Sequence, residues 1–484
     1  MTPTTLEAGR RLPQVLALTT VLLSGCAGFS ADGGAGDVQR LAEPGLGLSA
    51  DAGRAALPVA WAAAAPAAPA TDGSDADRSA VEDATRRLLA QPLGADDAVR
   101  LALMHNAGLQ AAFAGLRAAE AERVAGGRLA NPGFAFGRSV EGDRREIERA
   151  VVFDVIGLFT LPVRSRIADT RFEQARLDLA NRVLALAART RRAYFEAVAA
   201  RQLAEYAGQV RTLAQSRAEL AQRMRAAGNW SRLDQLREQL LYAEATARHA
   251  RALDDADAAR ERLTRLLGLW ADDADYQLPD RLPDLPARIG DQRDIERRAL
   301  RDRLDVRMAR RNVDGTARAL GLTRATRFVN VLDAGFGHTT RNGGEPDKNA
   351  WSVGFELPIF DFGRIGAARA QAQYDRAFAE AAEVAIAARS AAREAYRHYR
   401  SGYDLARHYR DEIVPLHARV NEESLLRYNG MLIGVWDLLT EARMHADAVA
   451  AAIAAQRDFW IAAAQLRYEL GGSPEAPADA EAAR

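Results

Sequence analysis

The residues best suited to catalysis are scattered along the chain and form no recognisable catalytic pattern. The seven histidines are spread over 484 residues, and His398 and His408, ten apart on one predicted helix, face roughly but not tightly the same way. The sequence contains no glycine-rich phosphate loop, no nucleophile elbow and no paired-cysteine metal site. The many carboxylates alternate with arginines on what we predict to be solvated helix faces. We therefore expect neither an enzyme nor a metal site.

The single cysteine, Cys26, has a different chemistry. Two arginines precede an apolar stretch from Leu12 to Leu23, which is the order of an export signal. The stretch ends in Leu-Ser-Gly-Cys, a sequence typical of the cleavage box of bacterial lipoproteins. We predict a signal peptide over residues 1–25 and a covalent lipid on Cys26, with diacylglycerol on its thiol and palmitate among the acyl chains. The alternative is an ordinary secreted signal with an incidental cysteine. We expect no cofactor.

Composition gives no reason to expect a nucleic-acid partner or a transmembrane helix, and it characterises the two ends of the chain. The formal net charge is +0, which gives no reason to expect nucleic acid as a partner. No later apolar run reaches about 18 residues, so we expect no transmembrane helix in the mature chain. Residues 26–78 are rich in Ala, Gly, Pro and Asp without a sustained period, which predicts a lipid-anchored flexible tether. Residues 473–484 are predicted to be a disordered tail.

Two stretches change from a strand pattern into a very long helical pattern. In the later stretch, apolar residues alternate with polar or small ones, which predicts a half-buried strand. These apolar residues are Trp351, Val353, Phe355, Leu357 and Ile359. The helical pattern then continues from Ile365 to Tyr428, a length of roughly 95–100 Å at 1.5 Å per residue. We expect Pro415 to kink this helix, because proline removes a backbone donor.

The two stretches point to an internal duplication. Phe153 and Phe355 are 202 positions apart, and so are the turn glycines Gly228 and Gly430. A constant offset between unrelated landmarks indicates a repeat. We predict repeat 1 over residues 79–290 and repeat 2 over residues 291–472. Each has the order helix, strand, loop, strand, long helix, turn, helix. In repeat 1 the second strand is predicted over Ala150–Leu161.

Three segments carry a family resemblance: Asp96–Leu109, Phe355–Arg364, and Arg427–Gly430 followed by Val435–Leu439. With the duplication and the lipoprotein signature, the chain resembles the TolC family of outer-membrane efflux proteins, in its NodT-like lipoprotein branch. The resemblance implies a mainly α fold with transmembrane β-strands. Three identical chains would form one 12-stranded β-barrel, continued by a long periplasmic α-helical coiled-coil barrel.

The resemblance also predicts the environment of the strand that contains Trp351. Four strands are too few to close a barrel, and open strand edges cannot face lipid, which agrees with the three chains that the resemblance implies. In such a barrel the apolar face of residues 351 to 359 would contact outer-membrane lipid. Trp351 would lie in an aromatic girdle at the membrane interface. The alternative for Trp351 is a core position in a soluble sheet.

The two turns become candidate functional sites by the same resemblance, about 100 Å from the barrel. We expect adaptor docking there, with positive φ at both turn glycines. The docking residues are predicted to be Arg225, Gly228, Trp230, Arg427, Tyr428 and Gly430. Many relatives carry an aspartate six positions after the turn glycine. Asp234 fits this rule, whereas repeat 2 has Trp436 there and Asp437 beside it. These three residues are candidate gate residues. We predict that Arg225, Asp234, Arg427 and Asp437 form a pairing network that holds the end closed, with simple solvation of the hairpin charges as the alternative.

The implied function is passive export. The protein would be the exit duct of a tripartite efflux system in the outer membrane, extending into the periplasm. Its partners would be a periplasmic adaptor (a membrane fusion protein) and an inner-membrane transporter, and its cargo small molecules such as drugs or metal ions. Two alternatives remain open: a duct for type I protein secretion, and a coiled-coil envelope lipoprotein without a channel.

Overall fold

The computed structural model describes residues 28–48, 73–290, 294–329, 331–342 and 346–472. The predicted signal peptide, Cys26 and the predicted tail lie outside these ranges. The described residues form two compact units. The sheet unit contains the described residues up to Gly34, Ala114–Leu179 and Asp305–Val384. The hairpin unit contains the described residues of Ala35–Phe113, of Ala180–Leu304 and from Ala385 onward.

Helices dominate, and the strands are short, as expected for a mainly α fold. The elements of the first half are α1 (Ala35–Leu46), α2 (Gly73–Leu89), α3 (Ala95–His105), α4 (Ala107–Gly126), β1 (Gly133–Glu141), β2 (Arg144–Asp154), α5 (Val155–Ala226) and α6 (Arg232–Leu267). Those of the second half are α7 (Ile295–Asp302), α8 (Leu304–Ala325), β3 (Leu332–Arg341), β4 (Lys348–Phe355), α9 (Arg364–His408), a π turn (Tyr409–Ile413), α10 (Val414–Asn429) and α11 (Val435–Glu469).

The strands form one antiparallel sheet in the order β1, β2, β3, β4. The register places Phe134 opposite Val151, Val151 opposite Phe336, and Phe336 opposite Trp351. Residues directly opposite one another lie on the same face of a sheet. An apolar row therefore crosses all four strands.

The second strand begins and ends earlier than the predicted range Ala150–Leu161. The carboxylate of Asp154 accepts a hydrogen bond from the amide of Gly157 at 2.7 Å, and α5 starts at Val155. A capping side chain favours a helix start at this point. The charged segment before residue 150, predicted to be a loop, pairs instead with β1 and β3. A tight turn at Gly142, with φ of 60°, permits this pairing.

The fourth strand ends at Phe355, so the prediction that Leu357 and Ile359 belong to a lipid-facing strand is wrong. Phe355 pairs with Leu332, the first residue of β3, so in this antiparallel pair β3 has no residue left to pair with those that follow Phe355. Pro358 also has no amide proton to donate to a sheet. Both side chains remain exposed outside the sheet.

Part of the predicted flexible tether is folded, and that prediction is wrong for α1. Val38, Ala42 and Leu46 are buried, and their spacing of four residues places them on one helix face. The guanidinium of Arg191 in α5 donates a hydrogen bond to the carbonyl of Leu46 at 2.6 Å. The helix is therefore held against the hairpin unit at its C-terminal end.

An aromatic cluster forms part of the core of the hairpin unit. Phe459 in α11 is 1% exposed. Its ring centroid lies 5.5 Å from Tyr399, 5.7 Å from Tyr403 and 5.1 Å from Trp460. The hydroxyl of Tyr403 donates a hydrogen bond to the carbonyl of Ala287 at 2.9 Å. The cluster therefore connects α9, α11 and the segment that links the two halves.

The π turn Tyr409–Ile413 explains a change in the offset between the two halves. A π turn has i→i+5 hydrogen bonds and so contains one more residue than an α turn. Before it, Leu203 and Leu405 are 202 positions apart. After it, Gly268 and Gly471 are 203 apart and share positive φ values of 73° and 70°. Pro415 follows the π turn as the second residue of α10, and the predicted kink at this proline stays a prediction.

Candidate functional site

The first hairpin turn, residues 227–231, connects α5 to α6. Gly228 has φ of 77°, and its amide donates to the carbonyl of Arg225 at 2.9 Å. The amide of Asp234 donates to the hydroxyl of Ser231 at 3.2 Å, and the amide of Ser231 donates to the Asp234 carboxylate at 3.4 Å. These two bonds form a capping box, which stabilises the start of α6.

The second turn, residues 430–434, has its positive φ at a different position from the one predicted. Gly430 has φ of −80°, and Met431 has φ of 57°. The prediction of positive φ at Gly430 is therefore wrong. The amide of Met431 donates to the carbonyl of Tyr428, and the amide of Leu432 donates to the carbonyl of Arg427, both at 2.9 Å.

The sequences of the two turns align only when residues 203 positions apart are paired. Met431 is then the counterpart of Gly228, and Asp437 is the counterpart of Asp234. Asp437 accepts a hydrogen bond from the amide of Gly434 at 3.2 Å, which is the capping role of Asp234. Counting six residues from Gly430 pointed to the wrong residue, Trp436. Asp437 therefore occupies the position in the second repeat that Asp234 occupies in the first.

The candidate gate residues have neighbours within one chain. The rings of Trp230 and Trp436 are 6.5 Å apart, and the guanidinium of Arg237 lies 4.7 Å from the centroid of Trp436. Arg237 is also 3.9 Å from the carboxylate of Asp234. A cation over an indole ring is attracted by its π electrons. The tryptophans and Arg237 therefore connect the starts of α6 and α11, and Arg237 is a residue that the sequence interpretation missed.

The predicted pairing among Arg225, Asp234, Arg427 and Asp437 takes another form in the described chain. Arg427 lies 3.0 Å from Glu423, one helical turn earlier, rather than beside an aspartate. Both aspartates accept hydrogen bonds at the starts of their own helices. Their first role is therefore local capping, and pairing between different chains stays a prediction.

The tips of the two turns differ in polarity. Met431 is 92% exposed and Leu432 is 76% exposed. The residues at the corresponding positions of the first turn are Gly228 and Asn229. The second tip therefore presents an apolar surface that the first tip lacks.

One face of the sheet is apolar at the end next to the helices, with Arg149, His338 and Asn349 in a row beyond, and the other face is mostly small and polar. Trp351, Val353 and Phe355 lie on the apolar face and are exposed, with Trp351 at 83%. The ring of Phe336 lies 4.9 Å from that of Trp351 on the same face. The other face carries, among others, Asp333, Gly335, Gly337, Glu148, Ala350 and Ser352. The predicted lipid-facing residues within β4 thus belong to a continuous exposed apolar surface, formed also by β1, β2 and β3.

Two further features concern the chemistry of the described ranges. No described helix combines the length and apolarity needed to cross a bilayer. No group of three or more histidine, cysteine or carboxylate side chains in these ranges comes together in a way that could hold a metal ion.

Comparison with protein-family models gave no match, and comparison with curated proteins gave none. Solved structures do match. A membrane protein from Pseudomonas aeruginosa has a TM-score of 0.68 at 19% identity, covering 78% of this chain and 93% of that one. The outer membrane protein VceC of Vibrio cholerae gives 0.67 at 16%, covering 78% and 96%. The CmeC outer membrane channel of Campylobacter jejuni gives 0.66 at 15%, covering 78% and 86%. The likeness extends over most of both chains and defines a shared fold.

Proposed function

The chain has the fold of bacterial outer-membrane channels, and on this premise we propose that it is an outer-membrane exit duct of the TolC family. The duct exports small molecules passively and performs no chemistry on them. It serves a tripartite efflux system together with a periplasmic adaptor and an inner-membrane transporter. Membership of the NodT-like lipoprotein branch is part of the same proposal.

The observation that carries the proposal is the exposed apolar face of the four-stranded sheet. Large apolar side chains on every strand leave a continuous surface that water solvates poorly. A bilayer removes that surface from water, provided that the strand edges are paired. The edges in one chain belong to β1 and β4. Three chains that pair β4 of one with β1 of the next form a closed 12-stranded barrel, which leaves no edge in lipid.

The small and polar face of the sheet then lines the lumen. Glycine and alanine leave room for water, while Asp333 and Ser352 interact with it. This alternation of apolar and polar faces is the pattern of outer-membrane barrels.

Planar-bilayer recording of the purified protein tests the function. A duct produces discrete conductance steps, whereas a scaffold without a channel produces none, and that result would exclude the proposal. The control is Val353→Asp, which places a charge on the apolar face and should reduce insertion. Mass measurement in detergent should give three chains, and a stable monomer would contradict the closed barrel.

Anchoring through Cys26 is a separate part of the proposal. Acyl chains on the thiol would add a second membrane attachment to that of the barrel. Cys26→Ser should abolish labelling by a radioactive or clickable fatty acid while the conductance steps remain. Labelling that persists in this variant would refute the modification at Cys26.

A further inference from the structure

A glutamate of the hairpin unit is buried without a hydrogen-bond donor. Glu238 in α6 is 2% exposed, and no described residue donates a hydrogen bond to either carboxylate oxygen. It lines a cavity of about 300 Å³. A charged carboxylate without donors is costly to bury. The residue is one helical turn beyond the capping Asp234, near the turn that connects α5 to α6.

The cavity is bounded by four helices, each of which contributes polar side chains. The residues with polar or charged groups that face it are Tyr206, Gln209 and Arg217 of α5, Arg248 of α6, Asn421 of α10, and Arg443 and His445 of α11. Arg217 interrupts a stripe of apolar residues on α5 with alternating spacings of three and four, formed by Val210, Leu213, Leu220 and Met224. The buried Nδ1 of His445 has no described hydrogen-bond partner.

Two of the facing cations are paired elsewhere. Arg248 lies 3.6 Å from Asp447, and Arg443 lies 3.9 Å from Glu244. Arg217 therefore provides the main attraction on the Glu238 carboxylate, through space and without a hydrogen bond. Burial raises the pKa of Glu238 above its ordinary value of 4.5, and the positive charge of Arg217 opposes this rise.

The duplicated half lacks this arrangement. The counterpart of Glu238 with the offset of 203 is Glu441, which is half-buried. The counterpart of Arg217 is Val420, which is exposed. The buried acid and its facing arginine thus belong to one hairpin only, and the chain provides its own matched control.

We propose that Glu238 is a proton-binding site that makes the packing of the helix hairpins respond to pH. Uptake of one proton converts the carboxylate to a neutral carboxylic acid, and no other bond forms or breaks. The neutral group tolerates burial, so acid favours the packed arrangement, and loss of the proton favours a looser arrangement that admits water to the cavity. The proton site itself does not depend on the proposed function. Only its consequence rests on that function: in a duct, the periplasmic end tightens in acid.

The direction follows from proton linkage. A carboxyl whose pKa is raised in the packed form holds its proton more tightly there than when it is hydrated. Packing is therefore fully favoured below the ordinary pKa of 4.5 and loses this advantage as pH rises through the raised pKa.

Hydrogen exchange of the full chain in detergent tests the site without requiring a channel. Amide protection of the peptides over residues 205–250, corrected for intrinsic exchange, should fall severalfold between acid and mildly alkaline pH in the wild type. Glu238→Gln should keep the protection high at both pH values, because the glutamine side chain is uncharged. Glu441→Gln should behave as the wild type. An equal pH response in the wild type and in Glu238→Gln would overturn the proposal.

A second variant keeps the test decisive if Glu238→Gln fails to fold. Arg217→Met removes the facing cation and should move the midpoint of the protection change to higher pH. An unchanged midpoint would refute the assigned electrostatic pair. A protein that gives this pH response yet no conductance in bilayers would refute the duct and leave the proton site in place.

Discussion

We expect the apolar tip of the second turn to dominate the binding of the periplasmic adaptor. The decisive perturbation is Leu432→Ser, which removes an apolar side chain without touching the hydrogen bonds of the turn, because those bonds use backbone atoms. The matched control is Asn229→Ser, which introduces the same residue at the corresponding position of the first turn.

The expected magnitude follows from the exposure of the side chain. Leu432 is 76% exposed in the single chain, so most of its surface is available for burial by a partner. Burying a leucine side chain fully contributes about 1.5–3 kcal/mol. Since about 1.4 kcal/mol corresponds to a tenfold change in Kd, Leu432→Ser should weaken binding roughly 10- to 100-fold. Asn229→Ser should leave Kd nearly unchanged.

Isothermal titration of the detergent-solubilised protein with its purified adaptor measures this difference. The thermal unfolding midpoints of both variants should match that of the wild type, because neither side chain is part of the core. Equal Kd values for the wild type and Leu432→Ser would refute the docking role of the second tip. A loss of binding in Asn229→Ser of the same size would show that both tips dock alike.

Three further results are expected. Phe459→Ala should lower the thermal unfolding midpoint in circular dichroism by about 6–20 °C, from roughly 3–5 kcal/mol of lost packing at about 2–4 °C per kcal/mol. Gly228→Ala should destabilise the first turn by about 1–2 kcal/mol in chemical denaturation, because its φ is positive, whereas Gly430→Ala should be near neutral. Asp234→Ala with Asp437→Ala should raise single-channel conductance in bilayers, and unchanged conductance would exclude a gating role for the two caps.

The features recovered from the sequence are those with a local, repeated signal. The long helices show a sustained helical period, and each turn contains a glycine. The strand pattern identified the apolar face of β4 through Trp351, Val353 and Phe355. Each of these signals depends on neighbouring residues alone.

The predictions that failed concern features that are determined by distant contacts or by a single extra residue. Leu357 continues the apolar alternation of β4, but the length of β3 determines where pairing stops. The burial of α1 depends on α5, including a hydrogen bond from Arg191. Glu238 resembles any other helix-face carboxylate until the neighbouring helices enclose it. Gly430 was aligned with Gly228 because an extra residue in a π turn leaves no mark on the local pattern.

That π turn has a consequence for the rotational phase of the helix. One extra residue in a continuous α-helix turns everything beyond it by about 100°, which would move an apolar stripe a quarter of the way round the axis. By absorbing the residue in a wider turn at Tyr409–Ile413, the second half keeps the faces of α10 in phase with those of the first half. Exchange of helix segments between the halves therefore preserves packing only if the extra residue and the π turn that absorbs it stay together.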